Sequence, residues 1–254
     1  MKKILLVPFI AMAFTALADT PTNKPTLFII GDSTVKNGTK GQQGWGEVIG
    51  QLFDTNKITV ANHAIGGRSS RTFITEGRWD KVREQLKPGD FVLMQFGHND
   101  GGKPDDPQRP RGTLPGIGEQ TLKITNPNNK RLELVHTYGW YLRKYVAETK
   151  SKGATPIVCS LVPRNIWKDG KIARASNNHG KWAREVAESE HVPFLDLNEM
   201  IAARYESLGE EKVKPLFFGD HTHTSPEGAK LNASIVVEGL KQLPDCGVCR
   251  FLKP

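Results

Sequence analysis

Asp220, His221 and His223 fall within the run FFGDHTHTSPEGA at residues 217–229. Two histidines one residue apart can begin a zinc site, and a histidine backed by a carboxylate can act as the general base of a hydrolase. A zinc site needs a third and usually a fourth ligand. His63, His98 and several aspartates are available, but no HExxH or paired-cysteine spacing organises them, so no metal is expected. In a turning segment adjacent side chains diverge, whereas residues three apart can face each other. Asp220 can therefore hold His223 by its Nδ1–H, fix its tautomer and leave Nε2 free to take a proton. His221 is then left to pack or to hydrogen-bond. Thr224, Ser225, Pro226 and Glu227 carry N-cap, early-proline and capping-box signals for a following helix. Asp220 and His223 are thus expected on a rigid loop ahead of a helix.

A base needs a nucleophile, and polar clusters follow three apolar runs. Gly31-Asp32-Ser33-Thr34 follows the first, Asn62-His63-Ala64-Ile65-Gly66-Gly67-Arg68-Ser69-Ser70 the second, and Gly97-His98-Asn99-Asp100 the third. A serine just past a strand and beside glycine can expose its hydroxyl, which becomes a strong nucleophile once a base removes its proton. Gly66-Gly67 lets the backbone approach a ligand and aim an N–H at it. The neutral amide of Asn99 can stabilise a developing oxyanion. Taken singly, each has an ordinary reading: the serine as a helix cap, the glycine pair and Asn-Asp as turns.

The elements that must position these clusters read as alternating strands and helices. Leu27–Ile30, Ile58–Ala61, Phe91–Phe96, Pro156–Cys159 and Val192–Leu195 are short, nearly continuous apolar runs, as strands of a parallel sheet covered on both faces require. Helical patterns are expected around 45–53, 78–87, 132–151, 172–190, 197–208 and 226–241. The alternation predicts an α/β fold, a three-layer α/β/α sandwich around a mainly parallel, doubly wound five-stranded sheet. In such a sheet ligands bind outside the carboxyl ends of the strands, where the three clusters fall. Residues 101–130, rich in Pro, Gly and charge, break the rhythm and are expected to form a substrate-facing insertion loop.

The first 18 residues read as a secretory signal peptide, with Lys2 and Lys3, an apolar run from Ile4 to Phe14 and Ala16-Leu17-Ala18 at the cut. Cleavage would leave 254 − 18 = 236 residues as one domain, 19–254, exported to the periplasm or the medium. The apolar run is too short for a permanent span, so no stable membrane anchor is expected. The formal charge of +8 falls to about +6 without Lys2 and Lys3, a balance suited to polyanionic partners. In an oxidising compartment Cys246 and Cys249 are expected to pair in a small terminal disulfide, with Cys159 buried in its strand.

The four polar clusters, in order, resemble the blocks of the SGNH (GDSL-like) hydrolase superfamily. GDSTV, GWGE, NHAIGGRSSRTF, QFGHNDGG and DHTHTSPEGA resemble its rhamnogalacturonan acetylesterase-like branch across nearly the whole chain beyond residue 18. The resemblance implies a flavodoxin-like sandwich and a serine esterase with Ser33, Asp220 and His223 catalytic. It also implies an oxyanion hole of Ser33, Gly67 and Asn99, the glycine chosen because it directly precedes Arg68. No cofactor is implied, no nucleic acid, and an acetylated acidic polysaccharide or oligosaccharide as substrate. Arg68, Arg109, Arg111 and Trp167 are candidate substrate contacts, because sugar sites use basic side chains and aromatic faces. The rival readings are an acetylxylan or broad-specificity esterase of the same superfamily and, in another class, a non-catalytic carbohydrate-binding protein. Redundant triad chemistry argues against the last.

Overall fold

The computed structural model describes residues 24–175 and 178–254; the expected signal peptide at 1–18 lies outside them. Five strands form one all-parallel sheet in the order β2-β1-β3-β6-β9: β1 (Thr26–Gly31), β2 (Thr59–Asn62), β3 (Phe91–Gln95), β6 (Thr155–Cys159) and β9 (Phe194–Leu195). Alternate side chains of a strand point to opposite faces, and both faces here are apolar. Leu27, Ile29 and Leu93 join one core cluster while Phe28, Ile30, Val92 and Met94 join the other. This is why the strands read as nearly continuous apolar runs.

Helices cover both faces. On the first lie α1 (Trp45–Val48), α6 (Leu197–Leu208) and α8 (Pro226–Gln242), where Trp45, Ile201, Tyr205, Ala233 and Val236 are buried. On the second lie α2 (Ser70–Thr75), α3 (Arg78–Arg83), α4 (Tyr138–Ser151) and α5 (His179–Ser189), packed through Phe73, Trp79, Tyr145 and Val186. From β1 the chain passes outward to β2 and then returns to β3 on the other side of β1. The winding reverses between β1 and β3, so a crevice opens there at the carboxyl edge.

Local patterns differ from the sequence reading in several places. The helix expected over 132–151 begins only at Tyr138, because Leu132–His136 is strand β5, paired antiparallel with β4 (Thr121–Thr125). Alternation decides the segment: Val135 is buried, Leu132 and Leu134 face solvent, and Glu133 is taken by Arg71. Thr137 then caps α4 by accepting from Trp140 N–H. The helix expected over 172–190 starts at His179, since Lys171–Ile172 (β8) pairs with Trp167–Lys168 (β7). The one expected over 45–53 is a single turn, α1, followed by a 3₁₀ turn over Ile49–Leu52. A short helix α7 (Glu210–Val213) links α6 to the loop before α8. The insertion at 101–130 is a loop up to the hairpin strand β4. Beyond α8, Cys246 and Cys249 are disulfide-bonded, and Cys159 is a buried free thiol in β6.

Candidate active site

Ser33 follows β1 on a turn in which Asp32 O accepts from both Val35 N–H and Lys36 N–H at 3.1 Å. Asp32 is fully buried, and its Oδ1 accepts from Thr34 N–H at 2.9 Å and Thr34 Oγ–H at 2.8 Å. Gln95 on β3 donates to Thr34 Oγ1 and accepts from Trp45 Nε1, both at 2.8 Å. This chain of buried bonds clamps the turn from both flanks and leaves Ser33 half-buried at the crevice. Gly31 is required by packing, since a Cβ there would lie 2.6 Å from Gln95 O and from Val35 Cγ2.

The opposite wall is the segment before α8. Asp220 Oδ1 accepts from Thr222 N–H at 2.7 Å and His223 N–H at 2.8 Å, while Oδ2 meets His223 Nδ1 at 2.7 Å. His223 Nε2 lies 2.9 Å from Ser33 Oγ. Both ring nitrogens of His223 are thereby engaged, one by a carboxylate and one by a hydroxyl. Partial burial works to raise the Asp220 carboxyl, but hydrogen bonds from the His223 ring and from two backbone N–H groups outweigh it and hold it below its ordinary value. The loop is tied down where it meets neighbours: Thr224 Oγ–H donates to Gln43 O at 2.7 Å, Gln42 Nε2 to Phe218 O at 2.8 Å, and Asn165 N–H to His221 O at 2.8 Å. Ser225 caps α8 through Gly228 N–H, with Pro226 in the first turn. The His221 side chain is exposed, and only its backbone carbonyl takes part.

Three residues with hydrogen-bonding capacity to spare, Ser33, Gly67 and Asn99, line one cavity. Among the described residues neither Ser33 N–H nor Gly67 N–H has an acceptor within the protein. Gly67 holds φ +77°, a left-handed conformation natural to glycine. Asn99 is 7% exposed and spends one amide hydrogen on Arg68 O at 2.9 Å, leaving the other free. Asp100, not a candidate from the sequence, ties the loop that carries Asn99 to the start of α2 and to the insertion. Its Oδ1 accepts from Ser70 N–H at 3.0 Å and Ser70 Oγ–H at 2.5 Å, and its carbonyl accepts from Thr113 N–H at 2.9 Å. Burial pushes this carboxyl up to about 7, against the two Ser70 bonds and with help from nearby Asp32.

Ser33 and His223 open into a cavity of about 520 Å³, within the range of ligand sites. Gly67, Asn99, Arg109 and Arg111 line it too. The insertion brings the two arginines there because Arg71 anchors it. Fully buried, Arg71 binds Glu133 with two nitrogens at 2.6 and 3.0 Å and donates to Gly112 O and Pro104 O at 2.7 and 3.1 Å. Arg111 Nη1 in turn reaches Gly67 O at 3.2 Å. Two of the sequence candidates stand elsewhere. Arg68 is bound to Glu76 and Gly66 O, both at 3.0 Å, and braces its own loop. Trp167 donates to Asn165 Oδ1 at 2.7 Å and packs against the core. Arg164, past the end of β6, lines the cavity too and opens the stretch 164–168 that holds the candidate Trp167.

A serine hydroxyl hydrogen-bonded to a carboxylate-backed imidazole, beside free N–H donors, can carry out acyl transfer. Comparisons with known proteins agree. The GDSL-like lipase/acylhydrolase family model matches residues 29–231. A rhamnogalacturonan acetylesterase of Emericella nidulans is 32% identical over 231 residues, covering 91% of this chain and 91% of its own. Rhamnogalacturonan acetylesterase RhgT of Bacillus subtilis is 32% identical over 235 residues, 85% of this chain and 90% of its own. The crystal structure of protein YxiM from Bacillus subtilis matches with a TM-score of 0.67 at 26% identity, over 89% of this chain and 58% of that one. An acetylxylan esterase from Geobacillus stearothermophilus shares the fold, with a TM-score of 0.54 at 18% identity over 85% and 93% of the two chains.

Proposed function

Because the chain belongs to the GDSL-like lipase/acylhydrolase family and is a carboxylic-ester hydrolase, we propose that it removes O-acetyl groups from plant cell-wall polysaccharide, foremost the rhamnogalacturonan of pectin. The observation that carries this reading is His223 bridging Ser33 Oγ and Asp220 Oδ2 at 2.9 and 2.7 Å. The substrate is supported by what the two rhamnogalacturonan acetylesterases of similar sequence act on and by the arginines at the cavity.

In the reaction, Ser33 Oγ attacks the acetyl carbonyl carbon as its proton passes to His223 Nε2. Asp220 accepts the Nδ1–H bond and stabilises the imidazolium. The carbonyl oxygen becomes an oxyanion held by Ser33 N–H, Gly67 N–H and the free hydrogen of Asn99 Nδ2. As the C–O bond to the sugar breaks, His223 gives its proton to the departing sugar oxygen, leaving acetyl-Ser33. Water then attacks the acetyl carbonyl, losing a proton to His223, and the second collapse releases acetate and restores the Ser33 hydroxyl. The chain acts after export, following removal of residues 1–18; the Cys246–Cys249 disulfide suits an oxidising compartment.

The test is acetate release from acetylated rhamnogalacturonan and from acetylated xylan by the wild-type protein, Ser33→Ala and His223→Ala. Release from the pectic substrate should be faster, and both variants should lose at least about a thousandfold in kcat. Ser33→Ala hydrolysing p-nitrophenyl acetate at the wild-type rate would refute the mechanism. Equal or faster release from xylan would refute the substrate.

A further inference from the structure

A second cavity of about 470 Å³ adjoins the first. His98 and Arg164 line both, so they form the ridge between them. Gly97 and His98 follow β3, and Leu161 to Arg164 follow β6. The pair of cavities therefore runs along the carboxyl edge of the sheet, the edge on which parallel sheets bind ligands. A polymer lying over the ridge, with one unit's acetyl group at Ser33, places its neighbouring unit in the second cavity.

The charges of that wall are unevenly matched. Arg174 is held by Glu199 and Glu206 and donates to Ile172 O. Arg164 has no carboxylate partner among the described residues, and its Nε is buried without an acceptor. A guanidinium carries five donors in a planar fork, and leaving them unmatched in a partly buried place is costly. Neither cavity is lined by an aspartate or glutamate among the described residues. His179, at the far wall, is packed edge-on to Tyr138 and Trp182, and burial lowers its imidazole to about 4, leaving it neutral. Asn198 is already satisfied by Leu161 O and Ala175 N–H. Across the ridge Arg109 and Arg111 add positive charge of the same sign. Burial, together with Arg109, lowers the Arg111 guanidinium below its ordinary value, a crowding that an anion would relieve.

We propose that the second cavity is a subsite for the sugar next to the acetylated one, and that Arg164 binds the carboxylate of a uronic acid at that junction. The proposal rests on the esterase reading of the Ser33 cavity. It makes the enzyme a reader of the charge pattern along the chain and ranks neutral acetylated glycans below anionic ones.

The experiment is calorimetric titration with an unacetylated tetrasaccharide of alternating rhamnose and galacturonate, and with the same sugar after its carboxyl groups are reduced to alcohols. Wild-type protein should bind the anionic form about tenfold to a hundredfold more tightly, as a charge-assisted bond implies. Arg164→Gln should lose most of that preference, Arg109 and Arg111 keeping the remainder, and Arg164→Lys should recover part of it. Equal affinity of the wild type for the two sugars, or binding of neither, overturns the proposal even if the variant fails to fold. A full preference retained by Arg164→Gln overturns it as well. Because binding is read without turnover, failure of the esterase reading registers separately as absent acetate release.

Discussion

Replacing Asp220 by asparagine should abolish catalysis by reversing a tautomer, and the hydrogen bonds of the loop say why. Oδ1 of Asp220 accepts from two backbone N–H groups, those of Thr222 and His223. An asparagine that keeps both bonds must keep its oxygen at that place and turn its NH₂ toward the imidazole. The opposite rotamer sets NH₂ donors against N–H donors and leaves two polar groups unpaired, at about 1–3 kcal/mol each. Facing an NH₂ group, His223 Nδ1 must accept, so the ring proton moves to Nε2, the nitrogen 2.9 Å from Ser33 Oγ. An imidazole protonated there cannot take the serine proton. The expected loss in kcat is on the order of 10⁴, or ~5.4 kcal/mol at 1.36 kcal/mol per tenfold. The assay is steady-state hydrolysis of p-nitrophenyl acetate with acetate release as a second readout, and the folded state of the variant is checked by its thermal melt. A variant within tenfold of the wild-type kcat would mean that His223 keeps its proton on Nδ1 unaided, and the assigned role of Asp220 would fall.

Asp100→Asn preserves an acceptor for both Ser70 bonds but removes a titration. The native carboxyl holds its proton up to about 7, whereas the unfolded one releases it near 3.8. Between those values the unfolded chain binds fewer protons, so this group makes stability fall as pH rises, by up to ~1.36 kcal/mol per unit, and adds no further change above 7. Urea unfolding at about pH 4.5, 6 and 7.5 should show a flatter dependence for the variant; identical slopes would contradict the buried protonated state. Arg71→Leu strands Glu133 and frees the carbonyls of Gly112 and Pro104. It should cost about 3–5 kcal/mol in denaturant unfolding, and a loss under about 1 kcal/mol would show that the insertion holds its place without it. Gly67→Ala forces a side chain onto φ +77°, at a cost of about 1 kcal/mol of strain that relaxation relieves by turning the N–H away from the oxyanion. The expected signature is a kcat reduced at least about tenfold with KM little changed, measured on p-nitrophenyl acetate; an unaltered kcat would remove Gly67 from the oxyanion hole.

The residues that could be found in the sequence share one property: their geometry is set locally. Asp220 and His223 lie three apart on a turn, and Ser33, Gly67 and Asn99 each follow a strand by a few residues, so register along the chain nearly fixes register in space. The five strands were legible because a sheet covered on both faces leaves few polar residues to interrupt the apolar runs, Thr59 on the edge strand and Gln95 being exceptions. The segment 132–151 was misread because its short alternating start is read by a partner strand, Thr121–Thr125, inside a stretch that sequence alone marks as loop. Trp167 was attractive as a sugar platform by residue type, but its environment is decided by Asn165 and the core beneath it.

Charge was harder to interpret, because an arginine's meaning depends on whether a carboxylate meets it. Arg68, Arg71 and Arg174 are all spent on glutamates, 8, 62 and, for Arg174, 25 or 32 positions away in the chain. Arg109, Arg111 and Arg164 share the composition and lack the partner among the described residues, and all three line the Ser33 cavity. The net charge of +8 therefore says little about substrate by itself. What bears on it is that three arginines with no carboxylate partner among the described residues line the cavity onto which Ser33 opens. Attraction between such a cluster and an anionic chain acts over about a Debye length, ~8 Å at physiological salt. Raising the ionic strength from about 0.05 to 0.5 M should accordingly weaken kcat/KM on anionic acetylated oligosaccharide more than on p-nitrophenyl acetate. Equal salt dependence for the two substrates would mean that these arginines serve the loop alone and do not read the substrate.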